Sequence, residues 1–301
     1  MMTKEQKKTY AKMKKEENKD AWFEGLARAI RENELPWQKP WVGGHNSMPS
    51  NLVSKKFYRG SNIVSCWIAS LFNDWSDMRF ATRKQLKEAG LSIRGLKNGT
   101  GTSIMFYKPV EYTKVNEETN TLEVRNSWFS RWYEVWNVQQ CENYEDVLGQ
   151  HLDGDLPMEN TPESEMMTHF RNYTSAEEID VKYGGTRACY NRINDRISMP
   201  KHERFESPVA EVTTAMHEAV HSTGHKSRLD RLEGSKYAYE ELVAEMGALL
   251  VTLTLGGEYE PRANSVAYLH HWLQACNDKD DGLFKAFGDA QKAADRILEV
   301  A

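Results

Sequence analysis

The chain is poor in cysteine: Cys66, Cys141, Cys189 and Cys276 are widely spaced and form no CxxC pair. That spacing excludes a disulfide-dense scaffold and a cysteine-zinc cluster, and it suits a reducing cytoplasm, where we expect the protein to act. Long apolar runs are missing too, since no stretch approaches the roughly 20 residues that a membrane-spanning helix needs. The opening segment MMTKEQKKTYAKMKKEENKD is charged and has no apolar centre. It therefore reads as a solvated helix, frayed over residues 1–19, and not as a secretory signal. Tryptophan is nearly absent from the second half: eight of the nine lie between Trp22 and Trp136, and only Trp272 lies later.

What is there divides in the same way. Of the 39 Lys and Arg and the 44 Asp and Glu, residues 1–150 hold 23 and 18, leaving 16 and 26 for residues 151–301. At 40% hydrophobic and 28% charged, the composition is that of a globular chain, and 301 residues suffice for two cores. The break is best placed in the acidic, Pro- and Gly-marked stretch NYEDVLGQHLDGDLPMENTPESE. We expect an N-terminal domain over 1–145, an acidic linker over 146–165 and a second domain over 166–301.

In the first half, Trp22, Phe23, Leu26 and Ile30 fall at helical spacing, which predicts a helix over 20–33 that LPWQKPW breaks. Helices are expected over 62–74 and over 82–90, the latter capped by Thr82 and stopped by Gly90. Strand-like runs follow in TSIMFYKPVEYTKV, TLEVRNSW and RWYEVWNVQQ. This is an α+β domain with a small antiparallel sheet. Basic side chains interleave with rings over 55–62 and 80–109, an arrangement that stacks on unpaired bases and follows their phosphates. Most rings at such periods are core instead, so composition alone leaves nucleic-acid binding open.

The second half carries sharper chemistry. Extended segments are expected over Arg187–Tyr190 and Arg196–Met199. Ser207-Pro208 then starts a helix, with the serine as N-cap and proline where its missing N–H is harmless. The helix runs to Gly224, expected in the left-handed C′ conformation. On it stands His217-Glu218-Ala219-Val220-His221. Histidines four residues apart share one helix face and can grip one metal ion, with Glu218 placed as general base. HExxH arises by chance roughly a few times in a hundred such chains, so the context has to decide.

A third ligand is required. The metzincin position, ten residues after the first histidine, is Ser227. A second helix, Tyr237 to Leu255, carries Glu240, Glu241 and Glu245. Of these, Glu241 and Glu245 share a face, so Glu241 is the expected ligand and Glu245 the partner of a ligand histidine's far ring nitrogen. His225 is the rival third ligand.

Four blocks in the first half, LPWQKPW, SNLVSKKFYRGSNIV, RFATRKQLKEAG and YEVWNVQQCE, resemble in order those of the ArdC-type antirestriction proteins of plasmids and phages. The resemblance continues through ISMP, MHEAVHSTGHKSRLDR and YAYEELVAEMGALL to a tail with YLHHWLQ and DAQKAADRI. It implies a single-stranded-DNA-binding domain joined to a zincin-like, gluzincin-type metallopeptidase domain that protects incoming DNA from host restriction. Metal residues His217, His221 and Glu241 carry over, with Glu218 as base and zinc, or alternatively manganese, as the ion. Tyr190, on an expected edge strand, would align a substrate backbone, and Tyr237, Tyr239 or His270 would face the oxyanion. DNA contacts are implied for Trp37, Lys39, Trp41, Lys56, Tyr58, Arg59, Arg83 and Lys84. The partners are single-stranded DNA and a protein substrate. The alternatives are a strand-coating protein whose metal is structural, and a peptidase unrelated to DNA.

Overall fold

The computed structural model describes residues 48–115, 122–149, 162–257, 259 and 282–300, with isolated positions in the first 28. Asp20, Glu24 and Arg28 are helical, and the rest of the helix expected over 20–33 lies outside the described residues, as do Trp37, Lys39, Trp41 and His270. The chain gathers into two compact units. One takes residues 1–26, 50–56 and 64–149; the other takes 27–49, 57–63 and 150–301, so the division is not a single cut. No helix among the described residues is long and apolar enough to cross a membrane.

The first unit is built on β1 (Ser50–Asn51), β2 (Arg79–Ala81), β3 (Thr102–Val115) and β4 (Leu122–Asn137), in the order β1-β2-β4-β3. β1 pairs parallel to β2, and the other pairs are antiparallel. The runs TLEVRNSW and RWYEVWNVQQ, expected as separate pieces, form one strand that ends in a 3-10 turn at Val138–Gln140. Helix α1 (Ser61–Phe72) buries Ile63, Val64, Trp67, Ile68 and Leu71, an apolar stripe of helical period. Helix α2 (Arg83–Glu88) begins with a reciprocal capping box between Thr82 and Gln85. Ala81, Leu86, Leu91, Leu96, Trp136, Val138 and Cys141 form a core beneath it. Gly101 admits β3 past Trp136, because a Cβ there would stand 2.8 Å from the indole. A short helix, α3 (Tyr144–Leu148), follows in what the composition marked as the start of the linker region.

The second unit contains α4 (Glu163–Ala176), β5 (Asp180–Tyr183), β6 (Cys189–Asn191), β7 (Arg196–Met199), α5 (Pro208–Thr223), α6 (Tyr237–Thr254) and α7 (Gly282–Val300). Its sheet has the order β5-β7-β6, with β5 parallel and β6 antiparallel to β7, so β6 is an edge. The strand expected over Arg187–Tyr190 is shifted to Cys189–Asn191, in register with Arg196–Ser198. α5 packs against α4, α6 and α7, and α6 is flanked by α5 and α7. Gly247 brings α5 and α6 together: a Cβ on it would meet the two Cγ atoms of Val220 at 2.8 and 2.9 Å. Val220 lies inside the HExxH segment, so this close approach sets how the histidine helix faces the glutamate helix.

Candidate metal centre

The Ser207 hydroxyl caps α5 by accepting from Ala210 N at 2.9 Å, with Pro208 at the first helical position. Ten of the helix's residues, Val212 to Thr223 less Thr214 and His221, are buried. The far end is tied down by its own hydroxyls and by α4. Ser222 Oγ donates to Ala219 O, which leaves its oxygen to accept from the Tyr173 hydroxyl at 3.0 Å. Burial pushes the Tyr173 phenol up to about 12, so it stays a donor across the physiological range. Gly224 closes the helix, but not in the left-handed conformation expected: its φ is −79° and ψ 0°. Glycine is needed there for space, since a Cβ would stand 2.8 Å from Leu232 Cγ and 3.1 Å from Arg231 Nη2.

His217 and His221 come to one face, their ring centroids 4.7 Å apart and their planes at 78°. His217 is buried and His221 half-buried, so the site opens on the His221 side. The three glutamates of α6 lie within a helix buried from Glu240 to Leu253. Carboxylates in such a setting need partners, and each has its own set. Glu240 accepts from Arg231 Nε at 3.1 Å through both oxygens and from Ser235. Arg231 also reaches Val220 O and Thr223 Oγ1, which clamps the end of α5 to the start of α6. Glu241 turns to both histidines: Oε1 is 3.3 Å from His221 Nε2, and Oε2 is 3.7 Å from His217 Nε2. Glu245 Oε2 lies 3.3 Å from His217 Nδ1, and its other oxygen accepts from the Tyr259 hydroxyl at 2.5 Å. A carboxylate facing Nδ1 favours the tautomer in which Nε2 keeps its lone pair.

This geometry fits a small divalent ion. Donor atoms of His217, His221 and Glu241 all lie within 4.8 Å of one another. For bonds of 2.0–2.1 Å, the edge of a tetrahedron is about 3.3–3.4 Å. The observed 3.3 and 3.7 Å edges are of that size. Two imidazoles and one carboxylate are a donor set that zinc and manganese both accept. Glu218 is buried on the same helix, next to His217 in the chain. His225 is not in the cluster: its Nδ1 is 2.7 Å from Ser227 Oγ, and it lines a separate cavity of about 370 Å³ with Arg192, Lys226 and Asp230.

Tyr190 sits on the edge strand, but its hydroxyl donates to Asp195 Oδ1 at 2.7 Å. The buried guanidinium of Arg228 joins them and also donates to Ser222 O, binding the β6–β7 hairpin to the end of α5. Tyr237 is 66% exposed, and the Tyr239 hydroxyl donates to Asp289 at 2.6 Å. Of the residues the family resemblance assigns to DNA, Lys56 is exposed and Lys84 lies 3.7 Å from Glu88, while Tyr58 is half-buried. Arg59 pairs with Asp295 of α7. Arg83 donates to Leu96 O at 2.6 Å and stacks 4.6 Å over Trp136, so it braces the core. Sequence reasoning missed Tyr259, Arg231 and Tyr173. For Arg231 the local signal was an arginine in the short polar turn that follows HExxH.

Residues 4–136 match the family model described as the N-terminal domain of anti-restriction factor ArdC, and residues 168–289 match a zincin-like metallopeptidase model. The zincin-like domain implies a metal ion, and the ArdC domain implies interaction with DNA. The chain is 28% identical over 280 residues to the Sinorhizobium fredii protein y4eC, covering 90% of this chain and 88% of that protein. Two Escherichia coli DNA primases named TraC are 30% and 29% identical over 91% of this chain, which spans only 19% and 26% of their length. Among solved structures, the metal-free ArdC antirestriction protein of plasmid R388 is 30% identical with a TM-score of 0.68, covering 93% of this chain and 97% of that one. Its Mn(II)-bound form is similar at 28% identity and a TM-score of 0.66, with the same coverage. The chain therefore belongs to the ArdC family of antirestriction proteins, with an ArdC N-terminal domain joined to a zincin-like domain.

Proposed function

We propose that the chain protects a mobile element's DNA from host restriction by binding it as a single strand and acting beside it as a metal-dependent peptidase. The first role belongs to residues 1–145 and the second to residues 166–301. The observation that carries the reading is the convergence of His217, His221 and Glu241, with Glu218 on the same helix. Two imidazoles and Glu241 hold zinc or manganese, while Glu245, backed by Tyr259, fixes the His217 tautomer. When bound, the ion supplies Lewis acidity that lowers the pKa of water and polarises a carbonyl. Glu218 takes the proton of the attacking water and returns it to the leaving nitrogen. The edge strand β6, which carries Tyr190, offers its main chain to an extended peptide, and Tyr237, exposed at the start of α6, faces the oxyanion.

Glu218→Gln separates hydrolysis from binding, because it removes the base and leaves the ligands intact. In a transfer assay of unmodified DNA into a restricting host, we expect the variant to keep its metal but lose peptidase activity and protection together. Protection at the wild-type level with the metal retained refutes the peptidase reading in favour of strand coating alone.

A further inference from the structure

The β3–β4 hairpin of the first unit sorts its charges by face. Pairing joins Ile104 to Tyr133, Phe106 to Arg131, Lys108 to Phe129, Tyr112 to Arg125 and Lys114 to Glu123. Side chains two apart on a strand share a face, so these positions are in phase. Every Lys and Arg of the two strands, namely Lys108, Lys114, Arg125 and Arg131, falls in this phase with the rings Phe106, Tyr112, Phe129 and Tyr133, and only Glu123 is acidic. The opposite phase holds Glu111 and Glu134 and no basic residue.

The described end of this face presents its rings to solvent. Phe106 is 47% and Tyr133 38% exposed, in edge contact at 6.2 Å, and the Arg131 guanidinium lies 5.2 Å from the Tyr133 centroid. β3 is the sheet's edge, so a ligand can run along it. Two exposed rings beside a cation, on the phase that holds all the basic positions of the hairpin, complement a polyanion with accessible flat bases. That is an unpaired strand and not a duplex, whose bases are already stacked.

We propose that this face, centred on Phe106, Arg131 and Tyr133, is where single-stranded DNA lies: the two rings stack on bases while the cations follow the phosphates. The inference rests on the single-strand reading above and moves the site away from Arg59 and Arg83, whose guanidiniums are engaged by Asp295 and by Leu96 O.

The test is fluorescence anisotropy of the full chain with a labelled oligothymidylate between about 50 and 200 mM salt. Phe106→Ala combined with Tyr133→Ala weakens binding about tenfold or more at every salt concentration, with the salt slope unchanged because no charge is lost. Arg131→Gln lowers the slope by about 0.7. Glu111→Gln, on the other face, does not weaken binding, and the matched duplex competes poorly. Phe106→Leu with Tyr133→Leu keeps apolar bulk but removes the rings, and it loses the same affinity. Wild-type affinity in either ring pair overturns the proposed face. If the wild type itself fails to bind at low salt, the single-strand reading falls with it. A dimer that the ring variants break while keeping DNA affinity makes the patch a self-interface and refutes the proposal.

Discussion

Gly247→Ala tests whether the contact between α5 and α6 sets the metal geometry. The added Cβ would stand 2.8 and 2.9 Å from the Val220 Cγ atoms. Carbon atoms pack at about 3.5–4.0 Å, so the helices must part by roughly 0.7–1 Å. Glu241 lies six residues away on the same helix, about 9 Å along its axis, and moves with it. Metal donors tolerate displacements of about 0.2 Å. Overpacking costs about 1–3 kcal/mol and the gain in helix propensity returns about 1, so stability falls by about 0–2 kcal/mol. Metal affinity falls much further in relative terms, by about 10- to 100-fold, as for other changes that misplace ligands. Zn²⁺ or Mn²⁺ titration against a competing chelator, beside urea unfolding of the metal-free chain, reads both quantities. Val220→Ala removes the obstructing methyls and restores affinity in the Gly247→Ala background. Unchanged affinity in Gly247→Ala, or no rescue by Val220→Ala, refutes the reasoning.

Two further outcomes follow from named contacts. Glu240→Leu alone leaves the Arg231 charge buried without its partner and destabilises the fold by about 3–5 kcal/mol in urea unfolding. Adding Arg231→Met restores most of that stability, yet metal affinity stays below wild type because the bonds from Arg231 to Val220 O and Thr223 are gone. The ion pair between His202 Nδ1 and Glu211, at 2.6 Å, raises the imidazole above its ordinary value of 6.5. The pair's stabilisation is therefore full below about 6.5 and fades as pH rises through the raised value, so an NMR titration of His202 shows an elevated midpoint that Glu211→Gln removes.

Much of the centre was legible because its parts lie on two helices whose periods are visible in the chain. Histidines at i,i+4 and a capped start at Ser207-Pro208 place His217 and His221 on one face by helix geometry alone. The choice between Glu240, Glu241 and Glu245 rested on which face α6 turns toward α5, and all three are buried. What escaped was long-range: Tyr259 reaches Glu245 from 14 residues away, and Tyr173 reaches Ser222 from 49. No local spacing encodes those contacts. Gly224 was legible as a helix end but not as a close-packing site, because the crowding comes from Leu232 and Arg231 after the turn. In the first unit, Arg83 is a DNA contact by family resemblance alone, and its stacking on the core residue Trp136, 53 residues on, is a long-range contact of the same kind. Helix α4 and strand β5 were missed because their signals are weak: α4 begins in an acidic run, and β5 mixes Asp and Lys with its apolar residues.

The most direct measurement is the metal content of the purified chain after equilibration with Zn²⁺ or Mn²⁺, for wild type, Glu241→Ala and His225→Ala. A site made by His217, His221 and Glu241 gives one ion per chain in wild type and in His225→Ala, and loses it in Glu241→Ala. Loss in His225→Ala with retention in Glu241→Ala contradicts it.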